Sequence, residues 1–205
     1  MPEDRNPVSA QNPCPFLRAL VSDGLLNDSY EPLAQLTSTI QKVARTGDGK
    51  PELPSMPIVL IALIANGLGP LQLVRTAMAG VHLSGLRGGP LDKKGAGSGI
   101  LDQTGSFDQR QLDRMASFGS KKVDADGNAE VGLNLAEITT FMNANFARAE
   151  GRRRMIDRRL MDGEFPILLR VIGKQGRDER YLSIAEVKTL FAERLLPERM
   201  VRPRT

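Results

Sequence analysis

The chain has 205 residues, with 28 Lys+Arg against 24 Asp+Glu, one His, one Cys and no Trp. A single cysteine excludes an internal disulfide, and one Cys with one His cannot build a Cys₂His₂ or Cys₄ zinc site. The net charge of +4 speaks to solubility rather than to a nucleic-acid partner.

A chain of this length buries about 70% of the surface its unfolded form exposes, so it needs no staples. The length suggests one domain. The longest strongly apolar run, Met56 to Ala65, is too short to span a bilayer. The start Met-Pro-Glu-Asp-Arg has neither a basic n-region nor an apolar h-region, so the expected compartment is the cytosol.

Residues 1–12 are polar and read as an extended tail, ahead of a domain over 13–200. From Pro15, the residues Phe16, Leu17, Leu20, Val21 and Leu25 form a helical stripe ending near Leu26. Leu33, Leu36, Ile40, Val43 and Ala44 form a second, with Asp28 or Ser29 as its cap and Gly47 closing it. Met56 to Asn66 is apolar nearly all round and reads as a central helix. Another helix starts at Pro70. Residues 80–99 carry seven glycines and read as a long loop. A short helix surrounds Leu112 and Met115, and Asp124 to Gly127 is a turn. A longer helix runs through Ile138 and Phe141. A short one over Ile167 to Ile172 stops at Gly173. The last begins with the capping box Ser183-Ile-Ala-Glu186. Neither β alternation nor a sequence repeat stands out. The expected fold is all-α, with about eight helices and one Gly-rich loop.

Pro13-Cys14-Pro15 carries the chemistry. Pro15 suits the first helical position, which makes Cys14 the N-cap. There its sulfur would face the free amides of Phe16 and Leu17 and the positive end of the helix dipole. Both effects lower a thiol's pKa. A thiolate so held suits a soft metal, haem iron above all. An inert buried thiol, and a nucleophile served by His82, are the alternatives.

Asn12 to Leu26, opening with Pro-Cys-Pro, resembles the first helix of the haem-thiolate peroxidases, the family of chloroperoxidase and the unspecific peroxygenases. Gly163 through Gly173, then Phe191-Ala192-Glu193-Arg194-Leu195-Leu196-Pro197, is similar to that family's closing segments, with one extra Leu before the Pro. The resemblance implies a chloroperoxidase-like helical fold. It also implies haem b ligated by Cys14, with Phe16 and Leu17 beside it, and hydrogen peroxide acting on a small organic substrate.

The family's acidic motif, Glu-His-Asp or Glu-Gly-Asp followed by a small residue and Ser, holds Mg²⁺. It corresponds here to Asp102-Gln103-Thr104-Gly105-Ser106, so Asp102 and Ser106 are the implied Mg²⁺ ligands. The implied distal acid–base carboxylate has three alternative candidates, Glu137, Glu150 and Glu164. With no His beside Asp102, a non-catalytic relative acting as a haem-binding or interaction module is the alternative function.

An EF-hand register with Gly127 at position six puts Lys122 and Leu133 where acidic ligands belong, so that stretch reads as a polar turn. The Arg152 to Arg159 run has no interleaved aromatics, which argues against single-stranded nucleic acid. The run reads as a solvated face partly offset by Glu150, Asp157 and Asp162, with contact to phosphate, to a partner's acidic face or to haem propionates as the alternatives.

Overall fold

The computed structural model describes residues 5–44, 52–93 and 95–201, and the side chains of 163–165 and of 201 fall outside that description. The chain divides into two compact units. The first comprises residues 1–92, 103–106 and 193–205, and the second comprises 93–102 and 107–192. Among the described residues no helix is long and apolar enough to cross a membrane.

The fold is mixed α/β, not all-α. Six short strands form two antiparallel sheets among the described residues. Local pattern hides them because the strands are short and several of their buried positions are polar. Lys122, Tyr181 and Ser183 point inward from strands where an apolar alternation would otherwise have marked a sheet.

In the first unit, helix α1 (Pro15–Ser22) starts as expected, with Pro15 at its first position and Cys14 as N-cap. It stops four residues before Leu26, because Gly24 takes a positive φ of 71° and its N–H returns to the Val21 carbonyl. Strand β1 (Tyr30–Glu31) leads into α2 (Leu33–Val43). Neither Asp28 nor Ser29 caps α2. The N-cap is Pro32, while Asp28 accepts the Ser9 N–H at 2.8 Å. Gly47 lies outside the described residues.

Helix α3 (Ser55–Ala65) forms where expected but is not central. Only Ile58, Ala62 and Ala65 are buried, and Met56 is 79% exposed. Helix α4 (Pro70–Ala79) likewise exposes Leu71, Val74 and Met78. After Gly80, strand β2 (Val81–His82) pairs with β1, Tyr30 opposite His82 and Glu31 opposite Val81. The Gly-rich stretch is therefore partly ordered. Asn66 brackets His82, accepting its N–H at 2.7 Å and donating to its carbonyl at 2.9 Å. The His82 ring stacks on Tyr30 at 4.6 Å. His82 is thus a framework residue.

The second unit repeats one architectural motif that the sequence pattern conceals. Helix α5 (Gln109–Ala116), strands β3 (Ser120–Val123) and β4 (Ala129–Leu133) and helix α6 (Leu135–Arg148) form the first copy. Helix α7 (Met155–Ile172), strands β5 (Lys174–Gln175) and β6 (Arg180–Ser183) and helix α8 (Ile184–Lys188) form the second. Strands β4 and β6 pair, giving the order β3-β4-β6-β5. Leu112, Leu133, Ile138, Phe141, Leu182 and Leu190 fill the core of this unit.

Each second hairpin strand ends in a helix cap. Asn134 and Glu137 form a reciprocal capping box, and Ser183 accepts the Glu186 N–H at 3.4 Å. Helix α7 is much longer than the short segment expected. It absorbs Pro166 and stops at Gly173, as the glycine signal indicates.

Candidate functional site

The Arg-rich stretch enters α7 and is largely consumed by intramolecular contacts. Arg154 pairs with the buried Asp157 at 2.6 Å, and Arg158 with Asp162 at 3.1 Å. Arg153 donates to the Phe146 carbonyl and lies over the Phe146 ring at 4.1 Å. Arg152 and Arg159 are exposed.

The polar turn Asp124–Gly127 is tied down by the Asp124 carboxylate. Its Oδ1 accepts the Asp126 and Asn128 N–H groups at 3.0 and 2.8 Å. On its other side the Lys174 Nζ bridges Asp124 at 3.0 Å and Glu130 at 2.7 Å. Glu130 also accepts the Tyr181 hydroxyl at 2.7 Å and the Ser183 hydroxyl. A second cluster joins Lys122 to Glu137 and Glu179 at 2.9 and 2.8 Å. Ammonium groups thus hold carboxylates from both hairpins in the second unit, a structural arrangement. Among the described residues no group of three or more His, Cys, Asp or Glu is arranged to hold a metal.

This network makes stability depend on pH with a defined sign. The Lys174 ammonium, followed by the Asn128 N–H, lowers the Asp124 carboxyl from 3.8 to about 2. Burial opposes ionisation of Glu130 and Glu137, but their hydrogen bonds overcome it and lower both. A carboxylate depressed in the folded state contributes stability that is full above its unfolded value and is lost as pH falls through its folded value. The stability of the second unit should therefore fall as pH drops from 3.8 toward about 2. In Asp124→Asn this limb should be shallower. Urea unfolding across that range checks it, and identical acid limbs in the two proteins would count against the network.

The residues implied by the resemblance fall into three groups. Cys14, Phe16, Leu17 and Ser106 belong to the first unit, whereas Asp102, Glu137, Glu150 and Glu164 belong to the second. Phe16 is buried, and Cys14 and Leu17 are half-buried. Cys14 keeps the N-cap position, but its side chain makes no capping hydrogen bond. Its backbone N–H instead donates to Asn12 Oδ1 at 3.1 Å.

Asp102 and Ser106 are both exposed, and the Ser106 hydroxyl is 2.9 Å from that of Thr104. Glu137 accepts the Asn134 N–H at 2.8 Å and pairs with Lys122, so it is committed to a helix cap. Glu150 is exposed at the end of α6. The Glu164 side chain lies outside the described residues.

Around Cys14 the first unit contains groups that sequence reading missed. Arg18 closes the first turn of α1 on the Cys14 carbonyl at 3.0 Å and is only 2% exposed. Its Nη2 donates to the Gly105 carbonyl at 3.1 Å, while Nε and Nη1 have no hydrogen-bond partner. Asn12, fully buried, turns its oxygen to the Cys14 N–H and leaves Nδ2 without a partner. Gly105 is required beside this guanidinium. Its φ is 76°, and a Cβ there would lie 2.7 Å from Arg18 Nη1 and 3.0 Å from Ala10 Cα.

Burial, with Arg194 and Arg87 nearby, pushes Arg18 below its ordinary pKa, and Asp28 only partly offsets them. The one available signal in the sequence was a charged residue four positions after Cys14, on the same helical face. A half-buried thiol and an unsatisfied buried guanidinium one helical turn apart suit a group offering a soft metal and a carboxylate, as haem does.

No protein-family model, curated protein or solved structure matches this chain.

Proposed function

We propose that this is a haem-thiolate protein that uses hydrogen peroxide to oxidise or oxygenate a small organic substrate. The observation that supports it is Cys14 at the start of α1, half-buried, one turn from a buried Arg18 whose Nε and Nη1 have no hydrogen-bond partner. Cys14 would ligate the iron, and the expected cytosolic setting keeps its thiol reduced. Pro15 pre-sets the first turn that carries the ligand. Buried Phe16 and Leu20 anchor that helix, so the sulfur's position is set by packing. Haem b held by Cys14 would supply the peroxide chemistry, since a thiolate ligand favours O–O cleavage. Asp102 and Ser106 each carry an oxygen of the type Mg²⁺ takes. The resemblance would also call for a carboxylate to carry the peroxide proton, and of its three candidates Glu137 is engaged by Asn134 and Lys122.

That engagement of Glu137 favours a second reading, a haem-binding relative without turnover. The deciding experiment is haemin reconstitution followed by the ferrous–CO spectrum. Wild type should give the strongly red-shifted Soret band of thiolate ligation, and Cys14→Ala should lose it. A wild type that takes up no haem, or a shifted band that survives in Cys14→Ala, overturns the proposal. Peroxide-dependent oxidation above that of free haemin separates the peroxidase from the idle relative.

A further inference from the structure

The unsatisfied donors beside Cys14 have a use of their own. A guanidinium carries five N–H donors, and one Arg18 hydrogen bond is formed, to the Gly105 carbonyl. Nε and Nη1 are buried without partners, and so is Asn12 Nδ2. Asp28 offsets the charge only in part and does not fill the fork: its Oδ2 accepts the Ser9 N–H, and its Oδ1 makes no hydrogen bond. Arg87 adds positive charge nearby and is held by the Ala10 carbonyl at 2.8 Å. A buried charge is ordinarily paired or neutralised, because leaving it uncompensated forfeits its solvation. Here the guanidinium retains its fork while the protein supplies only a carbonyl.

We infer that Arg18 is a binding site for a ligand carboxylate, one helical turn from Cys14. A planar guanidinium matches a carboxylate in two parallel N–H···O bonds, which fixes orientation as well as affinity. The inference rests on the haem-thiolate reading only for the identity of the ligand, whose propionate side chains would be the carboxylates. A free small carboxylate is the other source of the same chemistry.

The experiment compares haemin with haemin dimethyl ester, which lacks the carboxylates, by Soret titration of the apoprotein. Wild type should bind haemin at least about ten-fold more tightly than the ester, the effect of one good charge-assisted pair. Arg18→Met should collapse that ratio toward one, and Arg18→Lys should keep only part of it. Equal affinity of wild type for haemin and its ester overturns the carboxylate site while leaving Cys14 ligation standing. That arm needs no variant, so a misfolded Arg18→Met does not blunt it. If neither porphyrin binds, the haem reading fails, and the site is judged with sodium propionate at matched ionic strength against chloride. A higher melting temperature in propionate for wild type, absent in Arg18→Lys, supports the site. An unchanged one overturns it.

Discussion

Replacing Lys174 with Met is expected to destabilise the second unit by about 2 kcal/mol. Lys174 is the shared counter-ion of Asp124 and Glu130, and Glu130 in turn holds the hydroxyls of Tyr181 and Ser183. Removing one partner of a buried ion pair costs roughly 3–5 kcal/mol, because the remaining charge is left without compensation. Lys174 is about a quarter exposed, so water screens part of that loss and the lower figure applies.

Tyr181→Phe should cost less, about 1 kcal/mol, because it removes one hydrogen bond and no charge. Urea unfolding followed by far-UV circular dichroism reads both variants against wild type, since the chain has no tryptophan and Tyr181 is itself replaced in one of them. A Lys174→Met midpoint unchanged from wild type would show that solvent has replaced the ammonium at no cost. The pKa directions add a check. The Lys174 ammonium is raised above its ordinary value, so its contribution is full below 10.5 and is lost only as pH climbs beyond it. The loss in Lys174→Met should therefore be present at neutral pH and shrink in acid, as Asp124 and Glu130 take up protons.

Gly80→Ala is expected to destabilise the first unit by at least about 3 kcal/mol. Gly80 has φ 96° and ψ −177°, a conformation reserved almost entirely for glycine. An added Cβ would lie 2.2 Å from the Glu31 carbonyl oxygen and 2.5 Å from its carbon. Those are backbone atoms of β1, so no side chain can swing aside. Relief requires β1 and β2 to separate, which breaks the Tyr30–His82 stack and the Asn66 clamp.

Gly88→Ala is the control, with φ 74° but nothing within 4 Å of its added Cβ. It should cost only the backbone term, about 1 kcal/mol. Hydrogen exchange at the Leu83 amide, which donates to the Ser29 carbonyl at 2.9 Å, should accelerate sharply in Gly80→Ala and little in Gly88→Ala. Equal behaviour of the two variants would remove steric contact with β1 as the cause.

The candidate site was half legible in the chain. Cys14 between two prolines announces a helix start, and the helix is there. Arg18 gives no such notice, because an arginine on a helix is ordinarily exposed, and nothing near it in sequence says that Gly105, 87 residues away, will cover it. The engagement of Glu137 was hidden for a related reason. A carboxylate three residues after Asn134 is a capping partner once the helix starts there, and its pairing with Lys122 depends on the hairpin forming.

Signals that close within a few residues were readable from the chain. Pro15 at the first helical position, the Asp124 turn, the Gly173 stop and the Ser183 cap all satisfy backbone groups with near neighbours, so the residue types suffice. The sheets were decided in three dimensions. Lys174 meets Glu130 across 44 residues, Lys122 meets Glu179 across 57, and β4 meets β6 across some fifty. A strand whose buried face is polar leaves no apolar alternation to read, and its charges are tolerable only because distant residues neutralise them. The single cysteine is placed by its own tripeptide, whereas the buried guanidinium one turn from it, with two donors unpartnered, exists only because the chain folds over it.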